Sequence, residues 1–133
     1  MMVVDTSIAI AIFKQEFDAE AYTLQIGRHG NPLISAATLL EIGIVLSSWK
    51  RLTASEVDQW IENFLQKGQF TVVDVTRSQA KLAREAYARF GKGSGHPAQL
   101  NFGDCFTYAL AKERGAPVLF KGDDFRHTDL VAA

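Results

Sequence analysis

Apolar and polar positions along the chain fall into short blocks that predict alternating strands and helices. Met2-Val3-Val4 is a compact, β-branched run that reads as a buried strand. Asp5-Thr6-Ser7 then supplies turn and capping residues ahead of the helical stretch IAIAIF. Residues Ala19 to Ile26 predict a second short helix ended by Gly27, and NPLIS, residues 31–35, reads as a connector carrying another strand. Ser35 caps AATLLEIGIVLSSWK, whose length and lack of strict alternation predict a largely buried helix.

Thr53 with Glu56 and Thr76 with Gln79 both fit the capping-box pattern, in which a hydroxyl and a long polar side chain three residues on satisfy backbone donors reciprocally. The first opens a helix to about Lys67 with Val57, Trp60, Ile61, Phe64 and Leu65 on one face; the second opens one to about Phe90 with Leu82, Ala83, Ala86 and Tyr87 inward. FTVVDV between them reads as a strand. GKGSGHPAQ, Gly91 to Gln99, is a flexible Gly-rich loop, and it leads into a helix capped by Asn101 and ending near Gly115. Phe102, Cys105 and Phe106 are expected to anchor that helix's first turn in the core. PVLF is a last strand before the turn KGDDF. This alternation specifies an α/β sandwich around a mainly parallel sheet, one domain over residues 1–133 without internal repeats.

Composition narrows the class. Hydrophobic residues make up 47% and charged residues 22%, and no apolar run reaches the roughly 20 residues of a membrane span, so a membrane protein is not expected. The opening residues carry an acid at Asp5 and no basic leader, unlike a secretory signal. One cysteine, Cys105, forms no internal disulfide, which fits the cytoplasm. A formal net charge of −1 argues against coating of nucleic acid through a broad basic field, so any such contact is local.

The acids change the picture further. In parallel α/β sheets ligands bind beyond the carboxyl ends of the strands. Asp5 follows the first strand, Asp123 follows the last, and Asp104 lies in the first turn of a helix, the end that shares that edge. Glu41 sits inside the apolar run LLEIGIVL, one turn from Ala37, Thr38 and Val45. Taken singly, each has an ordinary structural role: Asp5 as a cap, Asp104 complementing the helix dipole by about 0.3 to 1 kcal/mol, Glu41 in an ion pair, Asp123 in a loop. Gathered at one edge, four carboxylates repel one another and lose hydration, and a divalent cation removes both penalties. All four are hard oxygen donors and no Cys or His cluster has zinc spacing, so Mg2+ or Mn2+ suits the set. Such ions polarise phosphoryl oxygens and activate water, which points to phosphodiesters.

Asp5-Thr6-Ser7 after a first strand, Glu41 in a buried helix, LNFGDCFTYALAKERGAPVLFKGDDF with Asp104 and Asp123, and the overall length together resemble the PIN domain, above all the VapC-type toxin ribonucleases of bacterial toxin-antitoxin modules. The resemblance covers nearly the whole chain. It implies a Mg2+-dependent endoribonuclease on a three-layer α/β/α fold, a homodimer, inhibited by a cognate VapB-type antitoxin whose C-terminal segment fills the active-site groove. Carried over by position, Asp5 and Asp104 would be direct metal ligands, Glu41 would share the metal or orient its water, and Asp123 would complete the cluster. Asp124 immediately follows and competes for that fourth place. Thr6 or Ser7 would hold a metal-bound water.

Candidate contacts to the RNA backbone are Arg89 and Lys92 by the Gly-rich loop and Lys121 and Arg126 around GDDF. Trp49, Trp60, Phe64, Phe102 and Phe106 lie at helical spacing among apolar residues, a pattern of core or dimer packing rather than base stacking. Four other schemes compete. Acid-base cleavage by His29, His96 and His127 would leave a 2′,3′-cyclic phosphate, but all three fall in expected loops without an evident partner. A haloacid dehalogenase-like phosphoryl hydrolase would want a second aspartate where Ser7 stands, and a phosphate-accepting receiver domain would not bury Glu41. A non-enzymatic PIN relative, binding RNA or protein, would have lost acids, and none is missing.

Overall fold

A computed structural model describes residues 1–133, the side chain of Lys50 excepted. The described elements are β1 (Met2–Val4), α1 (Thr6–Phe13), α2 (Ala19–His29), β2 (Pro32–Ser35), α3 (Ala36–Lys50), α4 (Ala54–Gly68), β3 (Thr71–Val73), α5 (Arg77–Phe90), α6 (Phe102–Arg114) and β4 (Val118–Leu119). The strands form one parallel sheet in the order β3-β2-β1-β4, with Val3 opposite Leu33 and Val118, and Leu33 opposite Thr71.

Strand alternation builds the layers. Val3, Leu33 and Val118 pack with Leu110 and Ala111 of α6 on one face. Met2, Val4 and Leu119 pack with Ile8 and Ile26 on the other, where Ile34 meets Ala9, Ile42, Leu46 and the apolar stripe Val57, Ile61 and Leu65 of α4. Covered on both sides, β1, β2 and β4 are buried at every position, which explains why they read as unbroken apolar runs. The result is the expected α/β/α sandwich.

Helix ends follow local chemistry with two departures. Thr53 and Glu56 complete the predicted capping box. At α5 only half of the second box forms: Thr76 accepts from the Gln79 backbone N–H, but the Gln79 side chain is buried and donates instead to Glu113 Oε1 at 2.9 Å. Gly27 does not end α2, which continues to His29 and stops at Gly30, whose φ of +60° is the conformation that favours glycine. Tyr87, expected inward, is 48% exposed.

At the sheet's far edge the chain pairs with itself. The Val118 N–H donates to Val131 C=O at 2.9 Å and the Ala133 N–H donates to Val118 C=O at 2.8 Å, placing residues 131–133 alongside β4. Asp129 pins this segment by accepting from Tyr108 Oη and Lys112 Nζ, each at 2.7 Å. Among the described residues no helix is long and apolar enough to cross a membrane.

Candidate active site

Three elements converge at the carboxyl ends of the central strands. The chain leaves β1 at Asp5, whose N–H donates to Leu119 C=O at 3.1 Å, so the residue is fixed to the end of β4 before α1 begins. Its carboxylate caps α1 and is held from both sides. Oδ2 accepts from the Ser7 backbone N–H at 3.1 Å and from Ser7 Oγ at 2.8 Å, and Oδ1 accepts from Thr107 Oγ1 at 2.8 Å. Ser7 Oγ in turn accepts from the Lys121 backbone N–H at 3.0 Å, joining the strand-four loop to the same network.

Asp104 occupies the third helical position of α6. Its Oδ2 accepts from the Asn101 backbone N–H at 3.0 Å while Asn101 Oδ1 accepts from the Asp104 N–H at 2.9 Å, a capping box built from Asn and Asp. Glu41 reaches the site from α3 and accepts a hydrogen bond from Thr6 Oγ1. Gly103 makes room for it: a Cβ built there would lie 2.0 Å from Glu41 Oε2.

Burial and mutual charge dominate the electrostatics. Asp5 is 4% exposed, and loss of hydration raises its pKa even though Ser7 and Thr107 hydrogen bonds pull the other way. Glu41 is raised first by burial, against the opposing Thr6 hydrogen bond, with the charge of Asp5 adding to the rise. Asp104 is pushed up to about 8, first by burial and then by the charge of Asp5 and by a hydrogen bond and charge from Asp124, against the lowering Asn101 N–H. Burial, followed by the charge of Asp104, takes the adjacent Cys105 thiol up to about 11, so it stays protonated and unreactive.

The two adjacent loop acids have different neighbours. Asp124 is the carboxyl in hydrogen-bonding contact with Asp104, whereas Asp123 pairs with Arg126 at 3.4 Å, its side chain 74% exposed. Thr6 donates its hydroxyl hydrogen to Glu41 and Ser7 donates its own to Asp5. Of the RNA-contact candidates, Lys121 Nζ is engaged by Glu16 at 3.0 Å and Asp18 at 3.1 Å, Arg126 by Asp123, and Arg89 by Asp129 at 3.7 Å, while Lys92 is exposed. His96 Nδ1 accepts from the Ala98 N–H at 3.1 Å and its ring meets the Phe90 ring edge-on, a structural arrangement. Phe102 is 78% exposed and so does not anchor α6. Thr107 was not anticipated, although its position one turn beyond Asp104 puts both on one side of α6.

The donor set fits a hard divalent cation. Acids whose charged forms are disfavoured by burial and by one another gain most from positive charge, and all their free atoms are carboxylate oxygens. Among the described residues, however, no three His, Cys, Asp or Glu side chains form a ready-made cage. The acids instead couple in pairs, Asp5 with Glu41, Asp5 with Asp104, and Asp104 with Asp124.

Known proteins share this sequence and architecture. A model of the PIN domain matches residues 2–131. Ribonuclease VapC28 of Mycobacterium tuberculosis is 48% identical over 132 residues, covering 99% of this chain and 97% of that protein, and Ribonuclease VapC42 of the same species is 39% identical over 99% and 98%. Among solved structures, M. tuberculosis VapC20, a sarcin-ricin loop cleaving toxin, superposes with a TM-score of 0.75 at 19% identity, covering 100% of this chain and 98% of that one. VapBC2 from Rickettsia felis, solved bound to a promoter DNA fragment, gives 0.74 at 16% identity over 99% and 96%. Asp5, Glu41 and Asp104 thus lie at the strand tips of a chain that belongs to the PIN domain family, in its VapC branch.

Proposed function

We propose that this chain is a Mg2+-dependent endoribonuclease, with Mn2+ as a working substitute, and the toxin half of a toxin-antitoxin pair acting in the cytoplasm. The observation that carries the reading is the buried Asp5 carboxylate, clamped by Ser7 and Thr107 and charge-coupled to Glu41 and Asp104. The VapC ribonucleases it is similar to support RNA as substrate, and the VapBC2 and Klebsiella pneumoniae toxin-antitoxin structures support a VapB-type antitoxin as partner. Leu40 and Ile44, one turn apart on α3 and 69% and 60% exposed, support a homodimer.

Asp5 and Asp104 would hold the ion, with Glu41 and Asp124 completing the acidic rim. When bound, the ion supplies Lewis-acid polarisation of a phosphoryl oxygen and lowers the pKa of water. The chain's own residues fix geometry. Ser7, through its N–H and its hydroxyl, takes both lone pairs of Asp5 Oδ2, and Thr107 takes one on Oδ1, so the fold leaves the second Oδ1 lone pair for the ion. Thr6 orients Glu41 toward the site, where its carboxylate can accept a proton from an attacking water. Asn101 fixes Asp104 at the positive end of α6, which favours its ionised form. In-line attack by water on the phosphate leaves a 5′-phosphate and a 3′-hydroxyl.

The test is cleavage of RNA in Mg2+, in EDTA, and by folded Asp5→Ala and Asp104→Ala proteins, with chemical identification of the ends. Cleavage that stops with chelation and in both variants is expected. Full activity in EDTA, or 2′,3′-cyclic phosphate ends, would defeat the reading.

A further inference from the structure

The cations chosen from the sequence as RNA contacts are mostly neutralised inside the protein, but a different set is not. Arg77, Lys81 and Arg84 are exposed and lie four and three residues apart on α5, so they share one outer face of the helix. Among the described residues, none of the three enters an ion pair. Glu85, four residues beyond Lys81, is the neighbouring acid and lines a separate depression with Arg89. On a chain of net charge −1 this is a concentrated basic stripe.

The stripe borders a groove of about 380 Å3 between α5 and α6, lined by Arg84, Tyr87, Phe102, Cys105 and Phe106 among others. Phe102 is 78% exposed and stands edge-on to Phe106 at 5.0 Å, and Tyr87 is 48% exposed. Phe102 and Cys105 flank Asp104 in sequence, so one wall of the groove is the helical turn that carries the candidate metal ligand.

We propose that the outer face of α5 and the α5–α6 groove form the track on which single-stranded RNA lies as it enters the acidic site. Arg77, Lys81 and Arg84 take backbone phosphates, and Phe102 with Tyr87 offers the aromatic faces on which a base stacks. The occupant is a polyanion with flat apolar bases because the surface pairs unneutralised cations with exposed rings. This inference rests on the endoribonuclease reading.

The experiment measures fluorescence anisotropy of a 5′-fluorescein-labelled, 20-nucleotide single-stranded RNA of mixed sequence, titrated with the full chain in EDTA over a range of salt. The combined Arg77→Ala, Lys81→Ala and Arg84→Ala protein is expected to bind about tenfold or more weakly and to lower the salt slope by about 2, since each single-strand phosphate contact contributes about 0.7. Arg77→Lys with Arg84→Lys keeps the parental slope. Phe102→Ala binds roughly tenfold more weakly with the slope unchanged. Arg28→Ala with Lys67→Ala, away from this face, binds as the parent does. Parental affinity and slope in the triple variant would overturn the track, as would intact RNA binding with loss of only self-association or antitoxin binding. If the parent cleaves RNA while the triple variant binds normally, the track fails and the nuclease stands. If the parent neither binds nor cleaves RNA, both fail.

Discussion

Thr107 donates its hydroxyl hydrogen to Asp5 Oδ1 at 2.8 Å, a buried bond between residues 102 positions apart. It ties the middle of α6 to the first turn of the chain and sets the Asp5 carboxylate's plane together with Ser7. Thr107→Val keeps the side-chain shape and removes the donor. It is expected to destabilise the fold by about 1 to 3 kcal/mol and to reduce RNA cleavage about tenfold or more, while Thr107→Ser restores most of both. Thermal melts beside cleavage rates decide it; an unimpaired valine protein would show that the bond does not position Asp5.

Gly103 leaves space for the Glu41 carboxylate, and no left-handed backbone angle calls for glycine there. A Cβ at this position would lie 2.0 Å from Glu41 Oε2, too close for any real contact. Gly103→Ala should displace the Glu41 carboxylate from Thr6 and lower cleavage severely. Circular dichroism is expected to remain that of the parent, because helix propensity rises at the substituted site. Normal turnover by the alanine protein would mean that Glu41 works equally well elsewhere.

Adjacent acids in the loop after β4 should separate cleanly by function. Asp124→Asn removes the carboxyl that touches Asp104 and is expected to weaken Mg2+ dependence and activity several-fold or more. Asp123→Asn breaks only an exposed pair with Arg126, worth about 0 to 1 kcal/mol, and should leave both within error. Metal titrations of cleavage on the two proteins make the comparison, and the opposite ranking would return the role to Asp123.

Cation-free protein should lose stability as pH rises. Burial, with the charge of Asp5 and Asp124, pushes Asp104 up to about 8 from the ordinary aspartate value of 3.8, and burial raises Asp5 and Glu41 as well. The folded form therefore holds protons more tightly than the unfolded form. Its stabilisation is complete below about 4 and fades as pH climbs toward 8. In EDTA, Tm is expected to be lower at pH 8 than at pH 5.5, Asp104→Asn should flatten that dependence, and Mg2+ should raise Tm at pH 8 in the parent more than in the variant. A parental Tm independent of pH and Mg2+ would remove the carboxylate repulsion from the account.

The sequence made most of the scaffold legible because burial leaves strong local marks. Met2-Val3-Val4 and PVLF are unbroken apolar runs only because both faces of a parallel sheet are covered, and Thr53 with Glu56 is a cap whose partners lie within one turn. Misreadings arose where a side chain had a choice of partner. Thr76-x-x-Gln79 has the capping pattern, yet Gln79 turns to Glu113, 34 residues away. Gly27 resembles a helix stop, but the left-handed angle needed falls at Gly30. Asp123 and Asp124 are neighbours in a turn, where no periodicity says which one faces Asp104. Phe102 looked like a core anchor because it is apolar, and only the surrounding packing reveals that it stands in solvent.

Residues 131–133, running alongside β4, act as a self-supplied guard rail. A two-residue edge strand with free amides and carbonyls is an invitation to a strand from another molecule, and here Val118 already gives its N–H to Val131 and its C=O to Ala133. Engineering at this end of the chain therefore carries a colloidal consequence as well as a structural one. A change that peels these residues away uncovers a sticky seam, and the first symptom to watch for is aggregation rather than lost catalysis.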